Sequence, residues 1–199
     1  MTVGRCRWLL VAAAATAVFV LSALAARDRT VSTIEGDLFH AFNAAPSWLY
    51  PPLWLVMQFG NIIVACATAI VVGALLRRWQ VALGGALACV AAWCVAKAVK
   101  TVVARGRPEV FFGDVRFPGI HEGDFGFISG HSTVAFALAT VLAAAIPTRA
   151  RWVPFAVAIV VAIARLYVGV HLPLDVLGGA AAGVAIGSLT NVVLGPSSR

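Results

Sequence analysis

The sequence predicts an all-α integral membrane protein: about six transmembrane helices in one bundle, with a short interfacial helix near residues 33–43. Three observations carry this expectation. Of 199 residues, 61% are hydrophobic and 12% charged, whereas a soluble domain carries about 25% charged residues. Apolar runs recur at about 8–26, 53–76, 79–99, 131–147, 152–170 and 172–194. Each approaches the ~20 residues needed to cross ~30 Å of hydrocarbon, and 131–147 is the shortest fit. Short connections bearing arginine separate several runs, as expected of helical hairpins with basic loops. One transmembrane domain over 1–199, with its motif region at 100–175, is the expected organisation.

The first run follows Arg5 and Arg7 and ends near Ala23-Leu24-Ala25, which resembles a signal-peptide cleavage site. Trp8–Ala26 spans 19 residues, longer than the ~7–15 of a signal-peptide core, so an uncleaved helix is expected. Ser32 with Glu35 then forms a capping-box pattern, and Phe39 and Phe42 lie three apart on the helix it would open. That helix, and the aromatic stretch Ser47–Trp54, read as membrane-surface anchors. Arg77-Arg78 joins the second and third runs, Arg149 and Arg151 join the fourth and fifth, and Arg199 lies in the tail. With Arg5 and Arg7 these hairpins predict both termini cytoplasmic at the plasma (inner) membrane. Residues 27–52, 100–130 and the turn near 171 then lie outside. That side also holds Arg27, Arg29, Lys100, Arg105, Arg107, Arg116 and Arg165, so the orientation rests on the short hairpins.

The net charge of +7 fits basic loops against anionic headgroups. No basic stripe with interleaved aromatics appears, so nucleic acid is not an expected partner. Cys6, Cys66, Cys89 and Cys94 lie in or beside apolar runs without a CxxC pair. They read as small buried hydrophobes, with neither a disulfide framework nor a zinc site.

Three charged clusters fall on the outer side. In Lys100–Pro108, Lys100 and Arg107 are seven residues apart, so they share a face if the helix persists that far, and Pro108 marks a helix end at Arg107. Alone the pair reads as cations reaching to the interface, as Lys97 does. In Gly126–Ala139, Ser129 is a natural N-cap before Gly130 and His131. The helix start offers N–H groups and partial positive charge to an anion, or is simply a cap. In Ala164–Gly179, Gly169 ends one helix and Pro173 opens the next. His171 and Asp175, at i and i+4, allow the carboxylate to fix the imidazole tautomer and leave the other nitrogen to attack or bind. The competing reading is an Arg165–Asp175 pair with a spare histidine. Ionisable groups in a span cost about 2.5–3.5 kcal/mol each on insertion scales, so they need partners or a task.

Together the clusters supply Lys100, Arg107, Arg165, the Gly130 N–H and two histidines, a set suited to a tetrahedral anion. One carboxylate among three cations suits neither Mg²⁺ nor zinc, so neither a metal nor another cofactor is expected.

These residues resemble the type 2 phosphatidic acid phosphatase superfamily, whose motifs are K-x6-RP, PSGH and SR-x5-H-x3-D. The matches are Lys100 with Arg107-Pro108, then Ser129-Gly130-His131, then Arg165 with His171 and Asp175. Order and spacing agree, and the three motifs together are specific where each alone is weak. The resemblance implies that His171 attacks phosphorus, that Asp175 orients it, and that His131 serves as acid and then base. It implies that Lys100, Arg107, Arg165, Ser129 and Gly130 hold the phosphate oxygens. It further implies a lipid phosphate substrate reached from among membrane lipids. An undecaprenyl-type diphosphate is expected first, and phosphatidylglycerol phosphate or phosphatidic acid next. Ile128 stands where the family usually has Pro, which would loosen the loop, and Ala164 where it usually has Ser. Glu109, Asp114, Glu122 and Asp124 read as a solvated loop. A lipid or small-anion transporter, the rival class, predicts two similar halves with broken helices in matching positions.

Overall fold

The structure, a computed structural model, describes residues 3–28, 30–116 and 125–194. Glu122, Asp124, Arg29 and Arg199 lie outside the described residues. The chain forms α1 (Val3–Arg27), α2 (Thr33–Asn43), α3 (Tyr50–Met57) and α4 (Ile62–Leu75). It continues through α5 (Trp79–Val103), the single turn α6 (Pro108–Phe111), α7 (Gly130–Ala145), α8 (Trp152–Tyr167) and α9 (Pro173–Leu194). The described residues are helical or irregular with no strand, so the all-α class holds.

Among the described residues, four helices are long and apolar enough to cross a membrane, and a bent pair makes a fifth candidate. The count of six is therefore not reached on length alone, because α7 has only 16 residues. Eleven of these are buried. α7 is the inner helix of the bundle, packed on α9, α5 and α8.

The run 53–76 is not one straight helix. The segments Ser47–Gly60 and Ile62–Leu75 meet at 71°. Asn61 is extended (φ −72°, ψ 133°), and its Oδ1 accepts from the Ile63 N–H at 2.9 Å, capping α4. A long hydropathy window passes over such a break, because Gln58 and Asn61 are outnumbered by the apolar residues on either side.

Glycines along α9 let its backbone approach α7. A Cβ built on Gly183 would meet the Thr133 carbonyl oxygen and come within 2.9 Å of the Ala137 nitrogen. Gly183→Ala is therefore expected to destabilise the protein by about 1–3 kcal/mol, the usual range for overpacking. Thermal unfolding in detergent against wild type reads this directly.

The α4–α5 and α7–α8 turns share one end of the bundle, where an Arg78 guanidinium NH donates to Ala145 O at 3.4 Å. Lys100 lies at the other end of α5. The cysteine reading holds for Cys89, which is buried, and Cys66 is half-buried. Cys6 and Cys94 are exposed on the outer faces of α1 and α5, where an apolar thiol suits a lipid-facing surface as well as a core.

Helix α2 forms over 33–43 as expected, with Ser32 Oγ accepting from the Glu35 N–H at 3.3 Å. It is more than an anchor. Ile34 is 74% exposed, while Phe39 is fully buried and stacks on Phe112 with ring centroids 5.5 Å apart. At its C-terminus, Asn43 Nδ2 donates to Tyr167 O and Arg116 O, each at 2.9 Å. Asn43 Oδ1 accepts from the Arg116 N–H at 2.9 Å. Helix α2 is thus strapped across the end of the bundle that carries the charged clusters.

Candidate active site

Each cluster is delivered by a helix end. α5 stops at Val103 because Ala104 turns left-handed (φ 48°, ψ 39°), its N–H bonding Lys100 O at 3.0 Å. The helix therefore does not persist to Arg107, and Arg107 does not end α5. It is the N-cap of α6, with Pro108 in the first turn, where a missing N–H costs nothing. The chain reversal still brings both cations inward. Lys100 Nζ donates to Phe125 O at 2.8 Å and Gly126 O at 3.3 Å, while a buried Arg107 NH donates to Val170 O at 2.8 Å. Lys97, by contrast, is exposed and lies over the Trp93 ring at 5.6 Å.

The loop before α7 is stitched to both neighbours. Gly126 N–H bonds Arg105 O at 2.8 Å and Ser129 N–H bonds Asp175 O at 3.0 Å. A Cβ on Gly126 would stand 2.8 Å from Asp175 Oδ2, so only glycine fits there. Ile128 is fully buried. The residue in place of the usual Pro packs inward, in a cluster with Phe127 and Ala182. Ala164 is likewise fully buried, in a cluster with Met57 and Tyr167.

Ser129 caps α7 as expected, its Oγ accepting from the Ser132 N–H at 3.4 Å. Gly130 is the first helical residue, and His131 follows, half-buried, with its backbone against Gly60 at the bend between α3 and α4. Arg165, in the last turn of α8, is 2% exposed, and one NH lies 3.4 Å from Met57 Sδ. Beyond it the chain turns at Gly169 (φ 70°), a left-handed conformation suited to glycine. α9 then opens at Pro173.

His171 lies in that turn, 1% exposed, with Nδ1 3.6 Å from Asp175 Oδ2. Burial pushes the imidazole well below its ordinary pKa of 6.5, and the charges of Lys100, Arg165, Arg107 and His131 press the same way. His171 is consequently neutral near pH 7, and the residues that act on it come from all three sequence clusters.

Two residues of this centre were read otherwise from the sequence. Asp175 does have an arginine, and it is Arg105, whose NH1 donates to Asp175 Oδ1 at 3.2 Å. Arg105 is fully buried, and its two terminal nitrogens also reach Glu35 Oε1 at 3.0 Å and Oε2 at 2.7 Å. Glu35 is therefore no reciprocal capping-box partner. Its Oε1 additionally accepts from the Leu174 N–H at 3.0 Å. The available signal was the need of a buried Asp175 for a cation, with Arg105 two residues before a motif arginine. Glu109 and Asp114 are exposed, as a solvated loop requires, with Asp114 3.9 Å from His40 Nδ1. Among the described residues, no group of three or more His, Cys, Asp or Glu side chains could hold a metal ion.

A helical membrane bundle with a cationic, histidine-bearing centre at one end defines a multi-pass membrane protein with a charged centre. The sequence profile of the PAP2 superfamily matches residues 79–198, and the chain belongs to that superfamily of phosphatases. Over 189 residues it is 31% identical to the decaprenylphosphoryl-5-phosphoribose phosphatase of Mycobacterium tuberculosis, covering 93% of this chain and 92% of that one. Among solved structures it is similar to a transmembrane PAP2-type phosphatidylglycerolphosphate phosphatase from Bacillus subtilis. There the TM-score is 0.73 and the identity 22%, covering 90% of this chain and 94% of that one. It is also similar to Aquifex aeolicus LpxE, with TM-score 0.71 and 25% identity over 80% of this chain and 95% of that one.

Proposed function

We propose that this protein is a metal-independent lipid phosphate phosphatase of the plasma (inner) membrane, working through a phosphohistidine on His171. The observation that carries the reading is a buried His171 with Nδ1 3.6 Å from Asp175 Oδ2, its imidazole pushed below the ordinary range by burial and by the charges of Lys100, Arg165, Arg107 and His131.

Nε2 of His171 attacks phosphorus as the bond to the leaving oxygen breaks, and protonated His131 gives that oxygen its proton. Asp175 holds the Nδ1–H and stabilises the positive ring. His131, now neutral, takes a proton from water. The water oxygen then displaces His171, breaking the P–N bond and releasing inorganic phosphate. Lys100, Arg107, Arg165 and the Ser129/Gly130 corner hold the non-bridging oxygens, where transition-state charge is spread. Three cations supply the charge neutralisation that a metal would otherwise give, which supports a reaction without one.

The substrate carries a prenyl tail in this reading. An undecaprenyl-type diphosphate is the first candidate, and the 31% identical relative, named for decaprenylphosphoryl-5-phosphoribose, supports a prenyl-linked phosphate. Phosphatidylglycerol phosphate is the second reading, favoured by the fold shared with a phosphatidylglycerolphosphate phosphatase. Both termini are cytoplasmic and the site extracytoplasmic, following the Arg hairpins at the opposite end from Lys100. The transporter reading called for broken helices in two matching halves, and one bent pair is found among the described residues.

The test is phosphate release by purified protein in detergent with EDTA. The panel is a prenyl diphosphate, a prenylphosphoryl phosphosugar, phosphatidylglycerol phosphate and phosphatidic acid. EDTA-resistant release, fastest from a prenyl lipid, is expected. Loss of activity in EDTA overturns metal independence, and no release from any lipid overturns the enzyme.

A further inference from the structure

Asp175 uses both oxygens. Oδ2 accepts from the Leu172 N–H at 2.9 Å and faces His171 Nδ1, while Oδ1 accepts from Arg105. Arg105 is in turn fixed from the far side by both oxygens of Glu35 and by Thr30 O at 2.8 Å. A chain of alternating charge thus runs from surface helix α2 to the ring of His171, with Glu35 9% exposed and Arg105 and Asp175 fully buried.

We propose that Arg105 and Glu35 are positioning residues for the phosphatase reaction, setting the plane and charge of the Asp175 carboxylate and through it the orientation of His171. This rests on the reading of His171 as nucleophile. The geometry favours it over a merely structural ion pair for two reasons. Arg105 bonds the one carboxylate oxygen that His171 does not face, so it fixes the carboxylate plane without competing for the ring. Glu35 also accepts from the Leu174 N–H, beside Asp175 and three residues past His171, so α2 is pinned to the backbone that carries both. A buried arginine facing Asp175 alone would draw its negative charge away from the imidazole. Glu35 offsets that draw and leaves the aspartate as the partner of the ring.

Glu35→Gln and Arg105→Lys are expected to lower kcat about 10–100-fold with KM little changed, as for other groups that orient a reacting side chain. The discriminating comparison adds Arg105→Lys to Asp175→Asn. If Arg105 acts through Asp175, the double variant is within about threefold of Asp175→Asn alone, whereas independent sites multiply. Nitrogen NMR of labelled histidine, with His171→Gln for assignment, reads the ring without turnover. It should show Nδ1–H in wild type and a mixture of tautomers in Arg105→Lys. Multiplicative losses with an unchanged ring tautomer overturn the proposal. Wild type without phosphate release from any lipid sinks the phosphatase reading instead, and the ring signal still separates the two failures.

Discussion

Exchanging His171 for Gln lowers phosphate release by about 10⁴-fold or more, the scale on which a covalent nucleophile is lost. Gln retains much of the volume and a hydrogen-bonding group, so the 1% exposed site is not simply hollowed out. The size of the effect follows from the surroundings. In the proposed site Lys100, Arg107 and Arg165 would still hold the phosphate, so KM should change far less than kcat, and binding without attack is the signature. The same variant carries a stability test. Because the folded imidazole titrates below 6.5, the unfolded chain binds more protons as pH falls through that value. This contribution is fully present above pH 6.5 and is lost as pH falls towards the depressed folded value. Wild type should therefore lose thermal stability between pH 7 and 5 more steeply than His171→Gln. Parallel curves would remove the claim that His171 is held neutral by burial and its cationic neighbours. Retained turnover would remove it as nucleophile.

What the sequence could and could not disclose divides along physical lines. Short-range chemistry was legible. Ser32 and Ser129 read as caps because an oxygen facing an open helix N-terminus needs only local chain geometry. Pro173 opening α9, with His171 and Asp175 one turn apart, is equally local. Long-range choices were not legible. Arg105 sits 70 residues from both Glu35 and Asp175, and nothing in the spacing of Lys100 and Arg107 distinguishes it from the other outer arginines. Ala104 adopting a left-handed conformation to end α5 was equally hidden, since alanine ordinarily favours helix. The break at Gly60–Asn61 falls in a run that is apolar on average, its local marks are only Gln58, Gly60 and Asn61, and the packing of Gly60 on His131 of α7 joins residues 71 apart in the chain. The 16-residue α7 spans less than hydrocarbon thickness by itself, and its place inside the bundle comes from packing against α9.

His131→Ala should lower turnover of a lipid phosphate by about 10²–10⁴-fold, the range for losing a general acid and base. Its position makes a sharper prediction than the number. His131 is half-buried at the first turn of α7 while His171 is 1% exposed, so in the proposed mechanism the outer histidine is the one that meets water and the leaving oxygen. With an aryl phosphate, whose leaving group needs no proton, the attack by His171 should be nearly normal in His131→Ala. Hydrolysis of the phosphorylated ring should then be slow, since no base draws the proton from water. The expected result is a burst of released phenol stoichiometric with enzyme, followed by slow turnover, and labelled phosphate trapped on His171 after rapid denaturation. Absence of both burst and label, with the lipid and aryl substrates slowed equally, would show that His131 acts only by binding. The pairing of an outer acid–base histidine with an inner nucleophile would then have to be abandoned, even if His171→Gln proved inactive.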